Sequence, residues 1–434
     1  MNLIDSILTY GLPKKFPAEH HSTFVNTAHQ CLIRLSEASG RFPDQLIINN
    51  DQVKLINKNP VNNGGFAEVY RGRRIDLLGS NVEVAFKVLR YHDYMPDANE
   101  QRQRMEKMFC KEALIWQYLK HDNIVTFLGI DLTTFSPRLA MVAEWMRNGS
   151  ILDYMVRRSP FSMYTIDCQL KDIAAGLAYL HSQNVVHGDL CGRNILVDKR
   201  GHARLTDFGL TAFTESDTAL KSSVRSGSPP WMAPELLVPD QFGLKFQRTC
   251  ASDIYAFACV CCELWSEGLP PFHPIPYPGI IIKVSAGERP ERPDDTLGYT
   301  MPENLWEITQ LCWQQEPVNR PHSFTVSVMV QELSAHHSGV HSTTAKSPIG
   351  SKWEAETDAS SGSESDEESS KFIQPPVPPR AIQKRRKGKG RSTISRIHET
   401  VIFGPVQWGP ILRESFSLLS KSLRCVKQWR SHIV

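Results

Sequence analysis

Residues 187–194 read HGDLCGRN and place a histidine, an aspartate and an asparagine close together. The apolar pair VV precedes them and the apolar run ILV follows them. Three interpretations fit this stretch alone: an active-site loop, an active site that has lost residues, and a polar turn. The rest of the sequence is needed to decide between them.

The totals describe an ordinary globular chain. Its 434 residues are 41% hydrophobic and 22% charged, with a net charge of +3. This length suffices for roughly two to three domains with their own cores. The near-neutral charge argues against nucleic acid as a specific partner. The N-terminal segment lacks the pattern of a signal peptide, and no run of about 18 apolar residues predicts a membrane span.

The ten cysteines have no regular spacing, and several lie inside apolar runs. We therefore expect reduced thiols in a cytoplasmic protein. Cys259 and Cys262 form a CxxC pair within AFACVCCELW, but no second pair accompanies it. This context favours packing in the core over a metal or redox site.

Composition divides the chain into four zones. The first is predicted to be a helical extension with an apolar face, the second alternates apolar and polar segments, the third looks disordered, and the fourth regains apolar periodicity. The zones are residues 1–52, 53–335, 336–400 and 401–434. The apolar face of the extension comprises Phe24, Ala28, Leu32 and Leu35.

The second zone changes character at about residue 150. Segments rich in β-branched residues, such as NVEVAFKVLRY (81–91), come first, and long helical patterns such as SDIYAFACVCCELWSEG (252–268) come later. A β-rich half followed by an α-rich half predicts an α+β fold of two lobes with a cleft between them.

Two charges in the β-rich half lie in apolar surroundings. Lys87 is inside the strand pattern VAFKVL, and Glu112 shares a helix face with Met108 and Trp116. A lone buried charge would cost several kcal/mol, so we expect the two to pair. An exposed strand edge and an ordinary surface glutamate remain the alternative.

The glycines of NPVNNGGFAEVYRG (59–72) would let a turn bring backbone N–H groups close to a polyphosphate, although taken alone they favour an ordinary hairpin. Asp207 in LTDFGL and Asn194 supply hard oxygen ligands that suit Mg²⁺, and Asp189 could accept a proton from a hydroxyl. Lys87 would hold phosphates. Together these residues are what phosphoryl transfer requires.

These motifs occur in order with APE (233–235), Asp253 and CWQQEPVNRP (312–321). The set resembles the eukaryotic protein kinase family over residues 53–335, and it is most similar to the tyrosine-kinase-like group of serine/threonine kinases. The resemblance implies a bilobal kinase fold, with a small β-rich N-lobe containing one main helix, a larger α-helical C-lobe, and ATP and Mg²⁺ in the cleft.

The resemblance also implies roles for individual residues. Lys87 would contact the phosphates of ATP and pair with Glu112, Asp189 would be the catalytic base, and Asn194 with Asp207 would bind Mg²⁺. The backbone of Glu144 and Met146 would bind adenine, with Ala143 as a small gatekeeper. The remaining residues expected around the nucleotide are Asn62, Gly64, Gly65, Ala67, Val69 and Ala85.

Further implied contacts are structural. Glu235 of APE is expected to pair with Arg320, and Asp253 is expected to hold the backbone of the HGDLCGRN loop. His187 and Phe208 are expected to pack in the core.

The sequence departs from the family pattern in the loop itself. Gly188 replaces an arginine that normally binds a phosphate on the activation loop, which puts that route of activation in doubt. Cys191 stands where serine/threonine kinases place a lysine, and Arg193 stands where tyrosine kinases place an arginine, so Arg193 could supply the catalytic charge. Ser228 in GSPPWMAPE favours a serine/threonine kinase. Asn62 and Ala67 replace two glycines of the phosphate loop.

Several alternatives stay open at this stage. The chain could be a tyrosine-specific kinase, or a pseudokinase scaffold that acts through its tails. Cys191 could be a plain spacer or an exposed reactive thiol beside Arg193.

The tails suggest partners besides a protein substrate. Pro375–Arg380 (PPVPPR) fits a ligand of SH3-type domains, and the basic run 384–391 suggests nuclear import or contact with an acidic surface. The acidic segment 351–370 is read as a solvated linker or a phosphorylation site. Residues 411–430 form a basic amphipathic helix pattern that could lie on an anionic membrane surface or dock on the kinase domain itself.

Overall fold

The computed structural model describes residues 1–10, 21–49, 52–63, 67–75, 79–90, 98–158, 163–207, 228–293 and 300–340. After two N-terminal helices the chain builds a β-rich part and then a helical part, which confirms the predicted bilobal α+β architecture. None of the described helices is long and apolar enough to cross a membrane.

The described residues of the N-lobe form an antiparallel sheet of six strands. Its strand order is β1-β3-β4-β6-β5, and β2 pairs with β3. The strands are β1 (Val53–Leu55), β2 (Asn62–Asn63), β3 (Ala67–Ile75), β4 (Asn81–Leu89), β5 (Phe127–Asp131) and β6 (Ala140–Glu144).

The two faces of β4 differ because side chains alternate along a strand. Val84, Phe86 and Val88 are buried in the core of the sheet. Ala85 and Lys87 point to the opposite face, where the register places Val69 beside Lys87. The alternation therefore keeps the charge of Lys87 out of the apolar core. It places Lys87 on the face that a nucleotide could occupy.

The N-terminal helices α1 (Asn2–Tyr10) and α2 (His21–Ser39) pack beside α3 (Ala98–Trp116). Phe24, Ala28 and Leu32 are buried and Leu35 is half-buried, which confirms the predicted apolar face. The rings of Phe42 and Phe109 meet edge to face at 6.0 Å. The extension therefore shares one hydrophobic core with the helix that carries Glu112.

A buried carboxylate ties α1 to the end of α3. Asp5 Oδ1 accepts hydrogen bonds from Tyr118 Oη at 2.6 Å and from Gln117 Nε2 at 2.7 Å. These bonds compensate for removing the Asp5 side chain from water. They add a polar anchor to the apolar contact between the extension and the N-lobe.

The C-lobe is organised around α7, whose residues from Ser252 to Trp265 are all buried. Its N-terminus is fixed by a capping box between Thr249 and Ser252. The helices are α4 (Ile151–Arg157), α5 (Met163–Ser182), α6 (Pro234–Leu237), α7 (Cys250–Trp265), α8 (Tyr277–Ser285), α9 (Glu303–Cys312) and α10 (Ser323–Val340). Strands β7 (Ile195–Val197) and β8 (Ala203–Leu205) form a separate antiparallel pair.

The CxxC pair lies within α7. Cys259 and Cys262 are buried in the core, and burial raises the pKa of both thiols. Among the described residues, no group of three or more His, Cys, Asp or Glu side chains is arranged to hold a metal ion. The prediction that this pair serves packing is confirmed.

Candidate active site

Lys87 on β4 meets two carboxylates from different parts of the chain. Its Nζ lies 2.6 Å from Glu112 Oε1 on α3 and also contacts Asp207 Oδ1, which follows β8. Burial disfavours the charged lysine, but Asp207 and Glu112 outweigh that effect and raise its pKa. The predicted pairing of Lys87 with Glu112 is confirmed, and Lys87 remains a cation.

The two carboxylates respond differently to the same lysine. The charge of Lys87 lowers the pKa of Asp207, whereas burial raises the pKa of Glu112 despite its ion pair. Asp207 is half-exposed at the cleft and has a φ of 67°. Non-glycine residues adopt such backbone angles infrequently, and this conformation fits a site that has to aim a carboxylate.

The loop that follows α5 holds Asp189 and Asn194 together. Asn194 Nδ2 donates to the Asp189 carbonyl at 2.7 Å and to Asp189 Oδ2 at 3.1 Å. Thr206 N donates to the Asn194 carbonyl at 3.1 Å, which places the chain leading to Asp207 beside this loop. The amide nitrogen of Asn194 is turned toward Asp189, so its amide oxygen is available to a cation.

Ser228 contacts the carboxylate oxygen of Asp189 that Asn194 does not bind. Its backbone N–H donates to Asp189 Oδ1 at 3.2 Å, and its hydroxyl accepts a hydrogen bond from Arg193 Nη2 at 3.1 Å. Both Arg193 and Ser228 therefore lie next to the predicted base. A small cavity beside Asp189 and Ser228 is also lined by Trp231, Met232 and Leu236.

The residues predicted to surround adenine and ribose share one face of the N-lobe sheet. Ala85 is paired with Ala143 and Lys87 with Val69, while Ala67 pairs with Leu89. Asn62 is the register partner of Val69. Gly64, Gly65 and Phe208 lie outside the described residues.

The chain segment after β6 is held in an extended path. Glu144 N donates to the Thr126 carbonyl at 3.0 Å, Trp145 N donates to the Glu83 carbonyl at 3.2 Å, and Met146 is buried. Glu144 ends β6, and Met146 lies in the segment between β6 and α4; the predicted binding of adenine by their backbone stays a prediction.

The carboxylate of Asp253 on α7 binds the backbone of the HGDLCGRN loop. Its Oδ2 accepts from His187 N at 2.8 Å and its Oδ1 accepts from Gly188 N at 2.9 Å. His187 is buried in the core. Both expectations from the sequence are confirmed, and Asp253 has a structural task.

A buried ion pair supports the loop that contains Ser228. Arg320 Nη1 and Nη2 each lie 2.7 Å from one oxygen of Glu235, and both side chains are buried. This bidentate geometry confirms the predicted pair.

Cys191 is not an exposed thiol. It is buried, its Sγ lies 4.0 Å from Ser228 Oγ, and burial raises its pKa to about 11. The charge of Arg193 opposes this shift but does not overcome it. The hypothesis of a reactive thiol lowered in pKa by Arg193 is wrong, because the loop turns Cys191 inward.

We expect Cys191 to resist alkylation. Because a thiol with a pKa of about 11 is mostly protonated at neutral pH, iodoacetamide should modify it far more slowly than a free cysteine. Mass spectrometry of the folded protein after brief treatment measures this, with urea-unfolded protein as the control. Rapid labelling of Cys191 in the folded protein would contradict the burial described above.

Three further residues at this site were not predicted from the sequence. Glu263 accepts from Gly192 N and from Trp231 Nε1, both at 2.9 Å, and burial raises its pKa to about 7. Arg248 Nε donates to the Gly188 carbonyl at 2.8 Å. His181 Nε2 lies 2.9 Å from Asp253 Oδ2. Only the apolar setting of Glu263 could have marked any of them.

His181 predicts a pH dependence of stability. Burial disfavours the imidazolium, but the hydrogen bond to Asp253 outweighs it and raises the pKa from 6.5 to about 9. A group whose pKa is raised by folding stabilises the native state fully below its unfolded pKa, and this contribution is lost as the pH rises through its folded pKa. We expect a loss of about 3 kcal/mol between pH 6.5 and 9.

The measurement is the free energy of unfolding of wild type and His181→Gln at pH 6 and pH 9. The difference between the two proteins should shrink toward the higher pH, and subtraction removes the contributions of other groups. An equal difference at both pH values would show that His181 is not charged in the native state.

Comparison with known proteins is consistent with this geometry. Residues 55–330 match the family model described as protein tyrosine and serine/threonine kinase. Serine/threonine-protein kinase STY17 of Arabidopsis thaliana is 29% identical over 67% of this chain and 46% of its own length. The Abl tyrosine-protein kinase transforming protein of Abelson murine leukemia virus is 28% identical over 70% of this chain and 38% of its own. The matched region thus spans less than half of either relative.

The segments predicted to bind partners are residues 375–380, 384–391 and 411–430, and the acidic segment is 351–370. All of them lie outside the described residues. Their predicted partners and the predicted cytoplasmic or nuclear location remain predictions.

Proposed function

Since the chain belongs to the protein tyrosine and serine/threonine kinase family, we propose that it transfers the γ-phosphoryl group of ATP to serine and threonine hydroxyls of proteins. The observation that carries this proposal is the contact of Lys87 with both Glu112 and Asp207 in one cleft. A pseudokinase scaffold would not need to keep a lysine charged between two carboxylates from distant parts of the chain.

In this proposal Lys87 binds the phosphates of ATP. It remains a cation because Asp207 and Glu112 raise its pKa, and Glu112 holds its ammonium group from the side of α3. A fixed cation lowers the free energy of the extra negative charge that develops on transferring phosphoryl groups. The face formed by Val69, Ala85 and Ala143 would receive the nucleoside.

Asn194 and Asp207 fit a magnesium ion. Their amide and carboxylate oxygens are the hard ligands that Mg²⁺ takes, and the contacts of the Asn194 nitrogen with Asp189 orient the amide oxygen. When bound, Mg²⁺ would neutralise negative charge on the phosphates. Asp207 contributes a carboxylate whose pKa is lowered by Lys87, so it is ionised at neutral pH.

In this proposal Asp189 acts on the acceptor hydroxyl of the substrate. Its carboxylate is held by Asn194 Nδ2 on one oxygen and by Ser228 N on the other. Held in this way, it can orient an acceptor hydroxyl and take its proton. Most of the rate enhancement then comes from positioning the hydroxyl and neutralising charge.

The choice of serine and threonine rests on Ser228. Its backbone contacts Asp189 and its hydroxyl contacts Arg193, so the loop that would receive the acceptor lies close to the base. A short side chain brings its hydroxyl to such a site while its backbone rests on the loop, whereas tyrosine carries its hydroxyl much farther from its backbone. Tyrosine specificity is the competing proposal, and the likeness to Abl kinases supports it.

Analysis of the phosphorylated residues decides between these proposals. The purified full chain is incubated with ATP, MgCl₂ and a mixed protein substrate, and mass spectrometry assigns each phosphate to a residue type. We expect phosphoserine and phosphothreonine that disappear in Asp189→Asn. Phosphotyrosine would favour the second proposal, and equal incorporation by wild type and Asp189→Asn would favour the scaffold.

A further inference from the structure

Gly188 is held through both of its backbone groups. Its N–H donates to Asp253 Oδ1 at 2.9 Å, and its carbonyl accepts from Arg248 Nε at 2.8 Å. Its φ is 81°, a region that glycine enters freely and other residues rarely adopt. Because glycine restricts its own backbone so little, these two hydrogen bonds have to fix the direction of the peptide that leads to Asp189.

Arg248 comes from the turn before α7 and is buried there. Its guanidinium lies over the ring of Phe246, 5.1 Å from the centroid. Burial lowers its pKa, while the charges of Asp189 and Asp253 raise it. A buried guanidinium is costly unless it is compensated, and here two carboxylates and a carbonyl share that task.

Asp189 itself faces charged groups from several elements. Arg248 and Asp253 approach from the turn before α7 and from α7, Asn194 lies on its own loop, and Arg193 contacts the neighbouring Ser228. Within this set, Arg248 is the residue that bonds the carbonyl immediately before Asp189.

We propose that Arg248 is a positioning residue, which holds the Gly188–Asp189 peptide so that the Asp189 carboxylate faces the acceptor hydroxyl. This inference rests on the proposed kinase function. The loop lacks a side chain at Gly188, and the guanidinium that steadies it comes instead from Arg248. A rotation of the Gly188–Asp189 peptide would displace the carboxylate, and small displacements of a reacting group reduce rates strongly.

Arg248→Met tests the proposal, because methionine keeps an apolar stem but cannot donate to the Gly188 carbonyl. We expect kcat to fall by about tenfold or more, with KM for ATP within about twofold of wild type. The KM is expected to be kept because Lys87 and the sheet face that would bind the nucleotide are unchanged. Both values are measured well below the melting temperature of the variant.

Arg289→Met is the matched control. Arg289 Nε also donates to a backbone carbonyl, that of Trp313, at 2.8 Å, and its guanidinium lies over the Tyr255 ring. It therefore has the same kind of bonds, and its hydrogen bonds within the described part of the chain go to Glu288, Trp313 and Gln315 rather than to the loop of Asp189. This variant should lose stability without a comparable loss of kcat.

Chemical rescue separates positioning from folding. Millimolar guanidinium ions should restore part of the kcat of Arg248→Ala and leave the kcat of Arg289→Ala unchanged. The proposal is overturned if Arg248→Met keeps the wild-type kcat, if both arginine variants lose kcat alike at equal folded fraction, or if guanidinium does not raise the kcat of Arg248→Ala. An inactive wild type would instead overturn the proposed function, and this inference with it.

Discussion

The Lys87→Met variant is expected to transfer phosphate about 10²- to 10³-fold more slowly than wild type. Lys87 is the cation between Glu112 and Asp207, and methionine removes its charge while keeping an unbranched stem of similar length. Phosphates would then meet two carboxylates without the lysine that offsets them. The variant should still fold, because burial already raises the pKa of Glu112 and helps it take up a proton.

The measurement is the rate of phosphate incorporation into a protein substrate at saturating Mg·ATP. Lys54→Met is the matched control, because Lys54 is an exposed lysine on β1 of the same sheet. The control should keep the wild-type rate. A Lys87→Met rate within a few-fold of wild type would show that this lysine does not act on the phosphates.

Arg320→Ala is expected to lower the free energy of unfolding by about 3–5 kcal/mol. The substitution leaves the buried Glu235 carboxylate without its bidentate partner. Arg320 also donates to the carbonyls of Gln314 and Ala251, so those groups lose hydrogen bonds as well. Unpaired buried charges and carbonyls each carry a desolvation cost, because inside the C-lobe they have no hydrogen bonds to water in place of those they lose.

Chemical denaturation of both variants measures this loss. Lys283→Ala is the control, since Lys283 forms an ion pair with Glu288 in which the two side chains are 39% and 53% exposed. Removing an exposed pair should cost less than about 1 kcal/mol. A similarly small loss in Arg320→Ala would mean that the Glu235–Arg320 pair contributes no more than a surface pair.

The contacts that were predicted correctly have two sources. Lys87 and Glu112 are charged residues within apolar segments, so each needed a partner, whereas the contacts of Asp253 and Glu235 were implied by the resemblance to the kinase family. The pattern of apolar residues likewise predicted the buried face of α2. Burial of charge and helical periodicity are both local signals, and local signals can be read from sequence.

The contacts that sequence missed depend on tertiary approach. Arg248 bonds a backbone carbonyl 60 positions away, and no side-chain pattern identifies an acceptor of that kind. The partner of Asp5 lies more than 100 positions away, at Tyr118. Cys191 was assigned to a polar loop, but the loop backbone turns its thiol toward Ser228 and out of solvent.

The central claim is that this cleft transfers phosphate from ATP by means of Asp189. The direct measurement is transfer of radiolabelled γ-phosphate from Mg·ATP to protein by wild type and by Asp189→Asn. We expect steady incorporation by wild type and a rate lower by about 10²- to 10⁴-fold in the variant, because asparagine cannot accept the proton of the acceptor hydroxyl. Equal rates for the two proteins, or no incorporation by wild type, would contradict the account.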